Sequence, residues 1–478
     1  MHQMIIDGQK TGSANKQAID VVCPSDGQVF TTIPRGDAAD VDRAVGAARK
    51  ALNGEWGKVP AFERGRLLMK LGQAVLDNRE ELAQIEAKDT GKPISTARND
   101  ITVLARYFEF YGGGADKIHG DTIPFLNGYS VQTVHEPLGV TAHIIPWNYP
   151  AQMFGRSVAP ALAMGNATVV KPAEDACLSI LRIAELALEV GFPAGALNVV
   201  TGLGEEAGAA LSRHPGINFV SFTGSNEVGV LIQQAAALNA VKCVLELGGK
   251  SAHVVFDDVN FEPAIPAIVR GIVHNTGQTC TAGSRLILQK GVYESFLKAL
   301  AEEFSKTRAG TPEMDLTCGP VVNKTQWERI NRYIQKGKDE GLTIVTQGAI
   351  ADGVPEGGYF VTPTIFASKS HDSDLLNQEI FGPVLVVVPF ETEAEAIELA
   401  NATEYGLMAA VWTENGGRQQ RVARAMQAGQ VYINSFGAGG GVELPFGGVK
   451  KSGHGREKGF IALEEMSTIK TIIHHHGE

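Results

Sequence analysis

The chain has 478 residues, of which 44% are hydrophobic and 20% are charged, and its formal net charge is -11. This length allows about three domains of ~150 residues each, and the composition is typical of a soluble globular enzyme. Because the balance is acidic and the basic residues are scattered, we expect neither nucleic acid nor an anionic membrane surface as a partner.

The spacing of the cysteines and the sequence of the N-terminus predict the cellular compartment. The five cysteines lie far apart and form no CxxC pair, which predicts a reducing environment and no metal site. The first residues lack the charged segment and long apolar stretch of a signal peptide. No window holds the ~18 apolar residues that a membrane span needs. We therefore expect a cytoplasmic protein.

The first 140 residues predict short strands followed by helices. Asp37 and Asp40 are N-cap candidates for the first helix, and Gly91 stands where a C-cap glycine belongs after the second. A short strand is expected at 130–134. Helices are predicted over residues 37–51, 61–90 and 96–115.

Strands and helices alternate from residue 140 to residue 247. Apolar strands separated by helices predict a parallel sheet that is covered on both faces. Ligands bind at the carboxyl ends of the strands in such sheets, so a nucleotide-binding domain is expected. The predicted strands are 140–145, 167–170, 197–200, 217–222 and 241–247, and the predicted helices are 151–164, 178–190, 204–211 and 227–238.

The alternation resumes after residue 250 and predicts a second α/β domain with its own sheet. Residues 252–256 and 285–288 are expected as strands, and 263–273 and 292–308 as helices. Near the C-terminus, 468–473 is predicted as a strand. Three histidines follow it, His474, His475 and His476, and we expect them to form a solvated tail rather than a metal site.

Cys280 stands among small and polar residues, between Gly277 and Gly283. A buried cysteine that fills the core is the commoner case. The alternative is a nucleophile, because a thiolate needs access and nearby backbone N–H groups, which glycine-rich turns provide. Both interpretations remain open on this stretch by itself.

Several motifs occur in one order along the chain, and together they resemble the NAD(P)-dependent aldehyde dehydrogenase superfamily over nearly its whole length. They are Ile145-Pro-Trp-Asn-Tyr-Pro150, Lys171-Pro-Ala-Glu174, Phe222-Thr-Gly-Ser225 with Gly229, Leu245-Glu-Leu-Gly-Gly-Lys250, Gly277-Gln-Thr-Cys280, Glu379-Ile-Phe-Gly-Pro383, Pro445-Phe-Gly-Gly448 and Ser452-Gly453.

The resemblance implies an α/β fold in three parts. A Rossmann-type NAD-binding domain comprises 1–120 and 141–247, and an α/β catalytic domain comprises 248–440. A small β oligomerisation unit comprises 121–140 and 466–478, while 441–465 returns towards the cofactor domain. A homodimer or homotetramer is expected.

The resemblance also implies the catalytic residues. Cys280 matches the nucleophile, and the Asn148 side chain matches a donor to the oxyanion that forms when the thiolate adds to an aldehyde. Glu246 matches the general base that hydrolyses the thioester to a free carboxylic acid. By the same resemblance, Lys171 is assigned both to the catalytic residues and to the cofactor contacts. Without the resemblance, Asn148 reads as a turn residue and Glu246 as a surface glutamate.

NAD is the expected cofactor and NADP the alternative. A glutamate at 174 suits two free ribose hydroxyls and crowds a 2′-phosphate, whereas Lys171 could pair with one. The positions matched to cofactor contacts are Ile145, Pro146, Trp147, Lys171, Glu174, Gly204, Gly208, Phe222, Thr223, Gly224, Ser225, Val228, Leu247, Gly248, Glu379 and Phe381.

The substrate is expected to be a small-molecule aldehyde. Arg156 resembles the tunnel arginine of succinic-semialdehyde dehydrogenases and predicts an ω-carboxy semialdehyde, unless it pairs with a neighbouring carboxylate. His274 and the glycine run 437–441 depart from that subfamily and favour a bulky or aromatic aldehyde. Expected substrate contacts are Arg156, Met153, His274, Thr279 and Thr281. Rival functions are a catalytically silent scaffold and an enzyme that transfers the acyl group to coenzyme A.

Overall fold

The computed structural model describes residues 2–437 and 441–477. Its strands are, in chain order, β1 Met4–Ile6, β2 Gln9–Thr11, β3 Ala18–Val22, β4 Val29–Pro34, β5 Thr122–Ile123, β6 Tyr129–Pro137, β7 Val140–Ile145, β8 Ala167–Pro172, β9 Leu197–Val199, β10 Phe219–Thr223, β11 Lys242–Glu246, β12 Ala252–Val255, β13 Arg285–Gln289, β14 Arg308–Ala309, β15 Thr343–Gln347, β16 Ala349–Ile350, β17 Thr364–Ala367, β18 Val384–Phe390, β19 Met408–Trp412, β20 Gln430–Ile433, β21 Gly453–His454 and β22 Ser467–His475.

The α-helices lie between these strands, and none of those in the described ranges has the length and apolar character to cross a membrane. They are α1 Ala38–Asn53, α2 Ala61–Asp77, α3 Arg79–Thr90, α4 Ile94–Gly114, α5 Pro150–Ala163, α6 Leu178–Glu189, α7 Ala209–Ser212, α8 Asn226–Ala237, α9 Phe261–Val273, α10 Tyr293–Phe304, α11 Lys324–Asp339, α12 Asp374–Asn377, α13 Glu393–Asn401, α14 Gly416–Ala425 and α15 Ile461–Glu465.

The first sheet has eight strands in the order β2-β1-β9-β8-β7-β10-β11-β21. Its middle strands, β9 to β11, pair in parallel, and the chain runs outward from β7 first to one side and then to the other. The parallel sheet predicted for residues 140–247 is thus present, and its strands follow the order of a Rossmann-type fold. The carboxyl ends of β7 and β10 therefore flank a crevice where a ligand can bind.

Local sequence signals explain most of the early helices. Of the two N-cap candidates, Asp37 is the N-cap of α1, and Asp40 three residues later completes a capping box with it. Gly91 ends α3 with a left-handed φ of 80°. The single helix predicted over 61–90 is wrong, because the chain breaks at Asn78. Its side-chain amide donates to the Ala74 carbonyl at 2.8 Å and so competes with the helical hydrogen bonds.

The second sheet has seven strands in the order β15-β17-β18-β13-β12-β19-β20, parallel except where β15 meets β17. Separate apolar clusters pack on its two faces. One predicted helix is shorter than expected, because the segment 292–308 is α-helical only from Tyr293 to Phe304. The predicted helix 204–211 is helical throughout, as a π-helical turn Gly204–Gly208 followed by α7.

A third sheet, in the order β22-β6-β5, is formed by the segments predicted for oligomerisation. Strand β22 pairs antiparallel with β6 from Ser467 opposite Pro137 to His475 opposite Tyr129. The solvated tail predicted from His474 is therefore partly wrong: His474 and His475 are exposed, yet they extend the strand.

The segment after the second sheet returns to the first. Gly453 and His454 form β21, which pairs antiparallel with Glu246 and Leu245 of β11. This pairing brings the residues that follow β21 close to the end of β11. The division into domains stays a prediction. The pairing of β21 with β11 nevertheless shows that a segment near the C-terminus lies beside Glu246.

Gly91 offers a test of the local backbone. Its φ is 80°, and a Cβ there would lie 2.7 Å from Pro320 Cγ, whereas Gly341 has a φ of 77° with no atom near a Cβ. We expect Gly341→Ala to lose roughly 1–2 kcal/mol of stability through the left-handed backbone alone. Gly91→Ala should lower the thermal midpoint further, because Pro320 must also move. Equal midpoints for the two variants in differential scanning fluorimetry would contradict this expectation.

Candidate active site

Cys280 follows a turn with an unusual backbone. Asn275, Thr276 and Gly277 have φ values of 48°, 58° and 72°, so three successive residues are left-handed. A Cβ at Gly277 would overlap the backbone of Gly382, which explains why a glycine stands there. The turn presents Cys280 half-buried, whereas the other cysteines are buried. This accessibility favours the nucleophile over the core cysteine.

The Cys280 thiol lies in a low-dielectric environment. Burial raises its pKa to about 12, and Arg156 opposes the shift, while Glu379 and Glu246 add to it. The thiol is therefore the resting form. Arg156 and, to a smaller extent, Lys458 are the charges that favour the thiolate.

Asn148 lies on the loop between β7 and α5 and is held through both its amide and its backbone. Its Nδ2 donates to the Gln278 carbonyl at 3.0 Å. Its own carbonyl accepts from Lys92 Nζ at 3.2 Å and from Asn275 Nδ2 at 3.0 Å. The amide carries a second N–H, so it can donate to an oxygen bound near Cys280. Asn148 is buried, which argues against a simple surface turn.

Lys92, Glu86 and Asp100 form a buried ion cluster beneath this loop, here called the Lys92 cluster. Lys92 Nζ lies 3.0 Å from Glu86 Oε1 and 2.6 Å from Asp100 Oδ2, and all three side chains are fully buried. Burial by itself would lower the pKa of Lys92, but Asp100 and Glu86 raise it. Glu86 also accepts from the backbone N–H of Ala151 at 3.2 Å. The cluster thus fixes the start of α5 together with the carbonyl of Asn148.

Glu246 ends β11 in a buried position, which rules out the surface glutamate that the sequence left open. Neither carboxyl oxygen has a hydrogen-bond partner among the described residues. Burial raises its pKa to about 8; Arg156 lowers it and Glu457 adds to the rise. A Cβ at Gly447 would lie 2.9 Å from Oε1. Such a carboxyl can take a proton near neutral pH.

Two cavities meet at Cys280. The first, here called the substrate-side cavity, has a volume of about 270 Å³, and its lining includes the predicted substrate contacts Met153, Arg156, His274, Thr279 and Thr281. The second, here called the cofactor-side cavity, has a volume of about 180 Å³ and contains Asn148 and Glu246 in its wall. The predicted cofactor contacts that line it are Pro146, Trp147, Thr223, Gly224, Ser225, Leu247, Gly248, Glu379 and Phe381.

Glu379 is a half-buried carboxylate in the wall of the cofactor-side cavity. Its carboxylate accepts from the backbone N–H of Gly249 at 2.8 Å, and burial raises its pKa to about 7. A Cβ at Gly248 would lie 2.5 Å from Glu379 Oε2. Phe381 has a left-handed φ of 61°, and its ring lies 5.4 Å from that of Trp147. The glycine lets the backbone approach this carboxylate and whatever ligand it binds.

Other predicted cofactor positions lie away from that cavity. Lys171 and Glu174 form an ion pair of 2.7 Å at the end of β8, and a Cβ at Gly208 would lie 3.9 Å from Lys171. Phe222 packs against Gly224, and Val228 is exposed. Outside the lining are Ile145, Lys171, Glu174, Gly204, Gly208, Phe222 and Val228.

The sequence missed several residues that line the cofactor-side cavity. Asn226 Oδ1 accepts from the Gly248 N–H at 3.1 Å, and Arg329 Nη2 donates to the Glu379 carbonyl at 2.7 Å. Arg329 lies on α11 and belongs to no motif, so only the tertiary fold reveals it. Further residues of this lining are Glu227, Gln326, Gln378 and Tyr405.

Arg156 is paired within the protein, as the alternative interpretation of the sequence held. Its side chain is 3% exposed and forms an ion pair with Glu457, which is equally buried. The guanidinium carbon lies 4.9 Å from the Phe446 ring centroid, and Nη2 donates to Thr223 Oγ1 at 3.1 Å. The semialdehyde prediction that rested on Arg156 therefore loses its main support.

His274 faces the substrate-side cavity as an uncharged ring. His274 stays accessible from the cavity, and desolvation by the surrounding wall together with Lys92 and Arg270 lowers its pKa. The ring stacks on Tyr149 at a centroid distance of 6.1 Å, and the Tyr149 hydroxyl is hydrogen-bonded to Thr279 Oγ1 at 2.8 Å. His274 can thus contribute an aromatic face and a hydrogen bond, but no charge.

The sequence model of the aldehyde dehydrogenase family matches residues 11–472. The chain belongs to this family. An aldehyde dehydrogenase of Emericella nidulans is 43% identical over 477 residues, which cover 99% of this chain and 95% of the relative. Retinal dehydrogenase 2 of Homo sapiens is 42% identical, with 98% of this chain and 91% of the relative covered.

Solved structures agree with this assignment. A crystal structure described as an aldehyde dehydrogenase from Burkholderia cenocepacia has a TM-score of 0.98 and 54% identity, covering 99% of this chain and all of that one. Betaine aldehyde dehydrogenase from Staphylococcus aureus, in complex with NAD+, has a TM-score of 0.96 and 37% identity, covering 100% of this chain and 95% of that one. The predicted family, fold class and NAD(P)-dependent oxidoreductase class are confirmed.

Glu246 should make stability depend on pH. Its folded-state pKa of about 8 exceeds the ordinary value of 4.5, so its contribution to folding is fully present below that value and is lost as pH rises through about 8. We expect Glu246→Gln to gain in thermal midpoint over the wild type between pH 5 and pH 9. Glu356→Gln, at an exposed turn, is the control. A constant difference across this range would contradict the raised pKa.

Proposed function

We propose that this protein oxidises an aldehyde to a free carboxylic acid with NAD, and that Cys280 is the nucleophile. The observation that supports this most is that Cys280 lines both cavities, with Asn148 and Glu246 in the wall of one of them. An aldehyde in the first cavity and a cofactor in the second would therefore meet at Cys280.

The first step joins the Cys280 sulfur to the aldehyde carbon. As the C–S bond forms, the C=O π bond breaks and its electron pair moves to the oxygen, which becomes anionic. Asn148 Nδ2 and the backbone N–H of Cys280 are the donors for this oxygen. Loss of one such donor costs about 2.7–4 kcal/mol of transition-state stabilisation in comparable sites.

NAD, when bound, supplies the two-electron acceptor that converts the adduct into a thioester on Cys280. Glu379 and Phe381 would hold its nicotinamide end, and the N-terminus of α8 at Ser225 suits a pyrophosphate. Lys171 and Glu174 would hold the adenine-side ribose. Because Glu174 already pairs with Lys171 at 2.7 Å, a 2′-phosphate would meet a carboxylate, which favours NAD over NADP.

The last step is hydrolysis of the thioester. Glu246 takes a proton from a water molecule, the water oxygen attacks the acyl carbon, and the C–S bond breaks to release the acid. A base with a pKa near the working pH is effective in such a step. The buried, unpartnered carboxyl of Glu246 fits this role better than it fits a scaffold protein, in which it would only destabilise the fold.

Two substrate classes follow from the sequence, an ω-carboxy semialdehyde and a bulky or aromatic aldehyde. The aromatic class is supported by the rings of Tyr149, His274, Phe436 and Phe446 in the substrate-side cavity. Arg156 does not decide between them, because Glu457 occupies it. Both the ω-carboxy semialdehyde and the bulky or aromatic aldehyde therefore stay candidate substrates.

The assembly and compartment stay predictions. We propose a homodimer or homotetramer in which the edge strand β22 takes part, since Ile469 and Ile473 are each 62% exposed. Such apolar edges are normally covered. A cytoplasmic location follows only from the sequence.

Cys280→Ser should abolish NADH formation, because the hydroxyl is a far weaker nucleophile than the thiolate. The cofactor-side cavity keeps its other walls, so NAD affinity measured by calorimetry should remain within about threefold. Cys23→Ser, at a buried cysteine outside both cavities, should retain activity. Substantial NADH formation by Cys280→Ser would contradict the proposed nucleophile.

Glu246→Gln should separate the two half-reactions. We expect a burst of NADH near one equivalent per active site, followed by steady turnover reduced at least ~100-fold, since a general base contributes 10²–10⁴-fold. Wild-type turnover should rise with pH through about 8 as Glu246 loses its proton. Stopped-flow absorbance measures both phases. Rescue of the variant by coenzyme A, with wild-type turnover requiring it, would indicate the acyl-transfer alternative instead.

A further inference from the structure

The backbone of Asn148 is held by two separate segments of the chain. Lys92 Nζ donates to the Asn148 carbonyl at 3.2 Å, and Asn275 Nδ2 donates to the same oxygen at 3.0 Å. Asn275 belongs to the left-handed turn that leads to Cys280, whereas Lys92 follows the C-terminus of α3. These two donors therefore fix the point from which the Asn148 side chain extends.

The Asn148 side chain itself has few restraints. Its Nδ2 donates to the Gln278 carbonyl at 3.0 Å. Its Oδ1 is buried, and no residue in the described ranges forms a hydrogen bond with it. One hydrogen bond does not fix the plane of an amide, which carries two N–H donors and a carbonyl oxygen. The direction of the second N–H, the proposed oxyanion donor, therefore depends on the bonds that hold the backbone carbonyl.

The Lys92 ammonium has no freedom to turn away from this carbonyl. An ammonium has three N–H donors. Its acceptors are Glu86 Oε1 at 3.0 Å, Asp100 Oδ2 at 2.6 Å and the Asn148 carbonyl. Because the Lys92, Glu86 and Asp100 side chains are fully buried, bulk water does not compete for these bonds. The two carboxyl groups thus direct the third N–H at Asn148, and its loss would leave a buried donor unpaired.

The same ammonium contacts the wall of the substrate-side cavity, but that wall has other supports. Lys92 Nζ lies 4.7 Å from the centroid of the Tyr149 ring. The Tyr149 hydroxyl is hydrogen-bonded to Thr279, and its ring stacks on His274. These contacts should keep the wall in place when Lys92 is replaced. An effect of Lys92 on the reaction should therefore appear in the rate more than in the KM for the aldehyde.

We propose that Lys92 is a positioning residue for the reaction at Cys280. It holds the Asn148 carbonyl so that the side-chain amide is oriented towards the oxygen that becomes anionic when the thiolate adds to the aldehyde. The proposal rests on the proposed function, in which this amide is an oxyanion donor. Displacement of such a group by about 1 Å can reduce the rate ~100-fold.

A double-mutant cycle tests whether Lys92 acts through Asn148. We would measure single-turnover NADH formation by stopped-flow absorbance, with saturating NAD and with benzaldehyde or butanal, whichever the wild type oxidises faster. Asn148→Ala should reduce this rate at least ~100-fold, as loss of an oxyanion donor does. Lys92→Met should reduce it about tenfold or more, while the KM for the aldehyde stays within about threefold. In the Asn148→Ala background, Lys92→Met should cost less than about threefold.

Alkylation of Cys280 separates loss of the donor from damage to the whole site. When iodoacetamide reacts with the thiolate, a C–S bond forms, the C–I bond breaks, and iodide leaves with the electron pair. No oxygen becomes anionic, so this reaction does not need the Asn148 amide. Cys280 in Lys92→Met should therefore be alkylated within about threefold of the wild-type rate, as followed by peptide mass spectrometry.

A matched control removes a partly buried cation at the other end of α5. Arg64 Nε donates to the carbonyl of Ala163, the last residue of that helix, at 2.9 Å. Arg64→Met should lower the thermal midpoint, as Lys92→Met should. It should leave the single-turnover rate within about twofold, because both bonds to the Asn148 carbonyl remain.

A charge-balanced variant replaces Lys92→Met in the cycle if that variant does not fold. Lys92→Met/Asp100→Asn removes both charges of the 2.6 Å ion pair, while Glu86 still accepts from the Ser179 hydroxyl at 2.9 Å. The rates expected for it are those given for Lys92→Met.

The proposal can be overturned while the reaction at Cys280 stands. A wild-type rate for Lys92→Met, an equal loss with and without the Asn148 amide, or alkylation that falls in parallel with NADH formation would each do so. A wild-type rate for Asn148→Ala would also overturn it, because Lys92 would then have no oxyanion donor to position. If the wild type forms no NADH with either aldehyde, the proposed function fails and this proposal fails with it.

Discussion

The position of Asn148 depends on the Lys92 cluster, the buried ammonium with its two carboxylates. A buried charge is tolerable only when its partners are all in place, and removal of one partner leaves an uncompensated ion. Lys92 uses this constraint to hold the Asn148 carbonyl, and Asn275 holds the same carbonyl from the turn before Cys280. The carbonyl oxygen of Asn148 therefore joins the loop after β7 to the turn before Cys280, although these two segments connect to different sheets.

Besides the loop after β7 and the turn before Cys280, a third segment contributes charged side chains to the site. It is the segment that returns to the first sheet through β21. This segment places Glu457 against Arg156 and Lys458 against the ring of Phe446. Glu246 consequently lies near three cations, Arg156, Arg456 and Lys458, and one anion, Glu457, while burial raises its pKa to about 8. A substitution at 457 or 458 should therefore shift the pKa of Glu246.

The sequence predicted what is encoded locally or by motif. Strand β7 has the bounds that the sequence predicts, and the proposed roles of Cys280, Asn148 and Glu246 come from their neighbours in short motifs. The break at Asn78 was missed because apolar periodicity continues through it, while the competing hydrogen bond is invisible to a pattern. The partner of Arg156 was missed for another reason: Glu457 lies far along the chain, and nothing in either segment specifies their contact before the fold forms.

The contact of Gly277 with Gly382 has a consequence for motion. The two backbones touch where a methyl group would not fit, so the turn that carries the nucleophile and the loop that carries Phe381 have no slack between them. The Cys280 carbonyl likewise abuts Gly249, next to the backbone N–H that binds Glu379. A displacement of the loop that carries Phe381 would therefore press on the turn that carries Cys280, so the two segments are expected to move together.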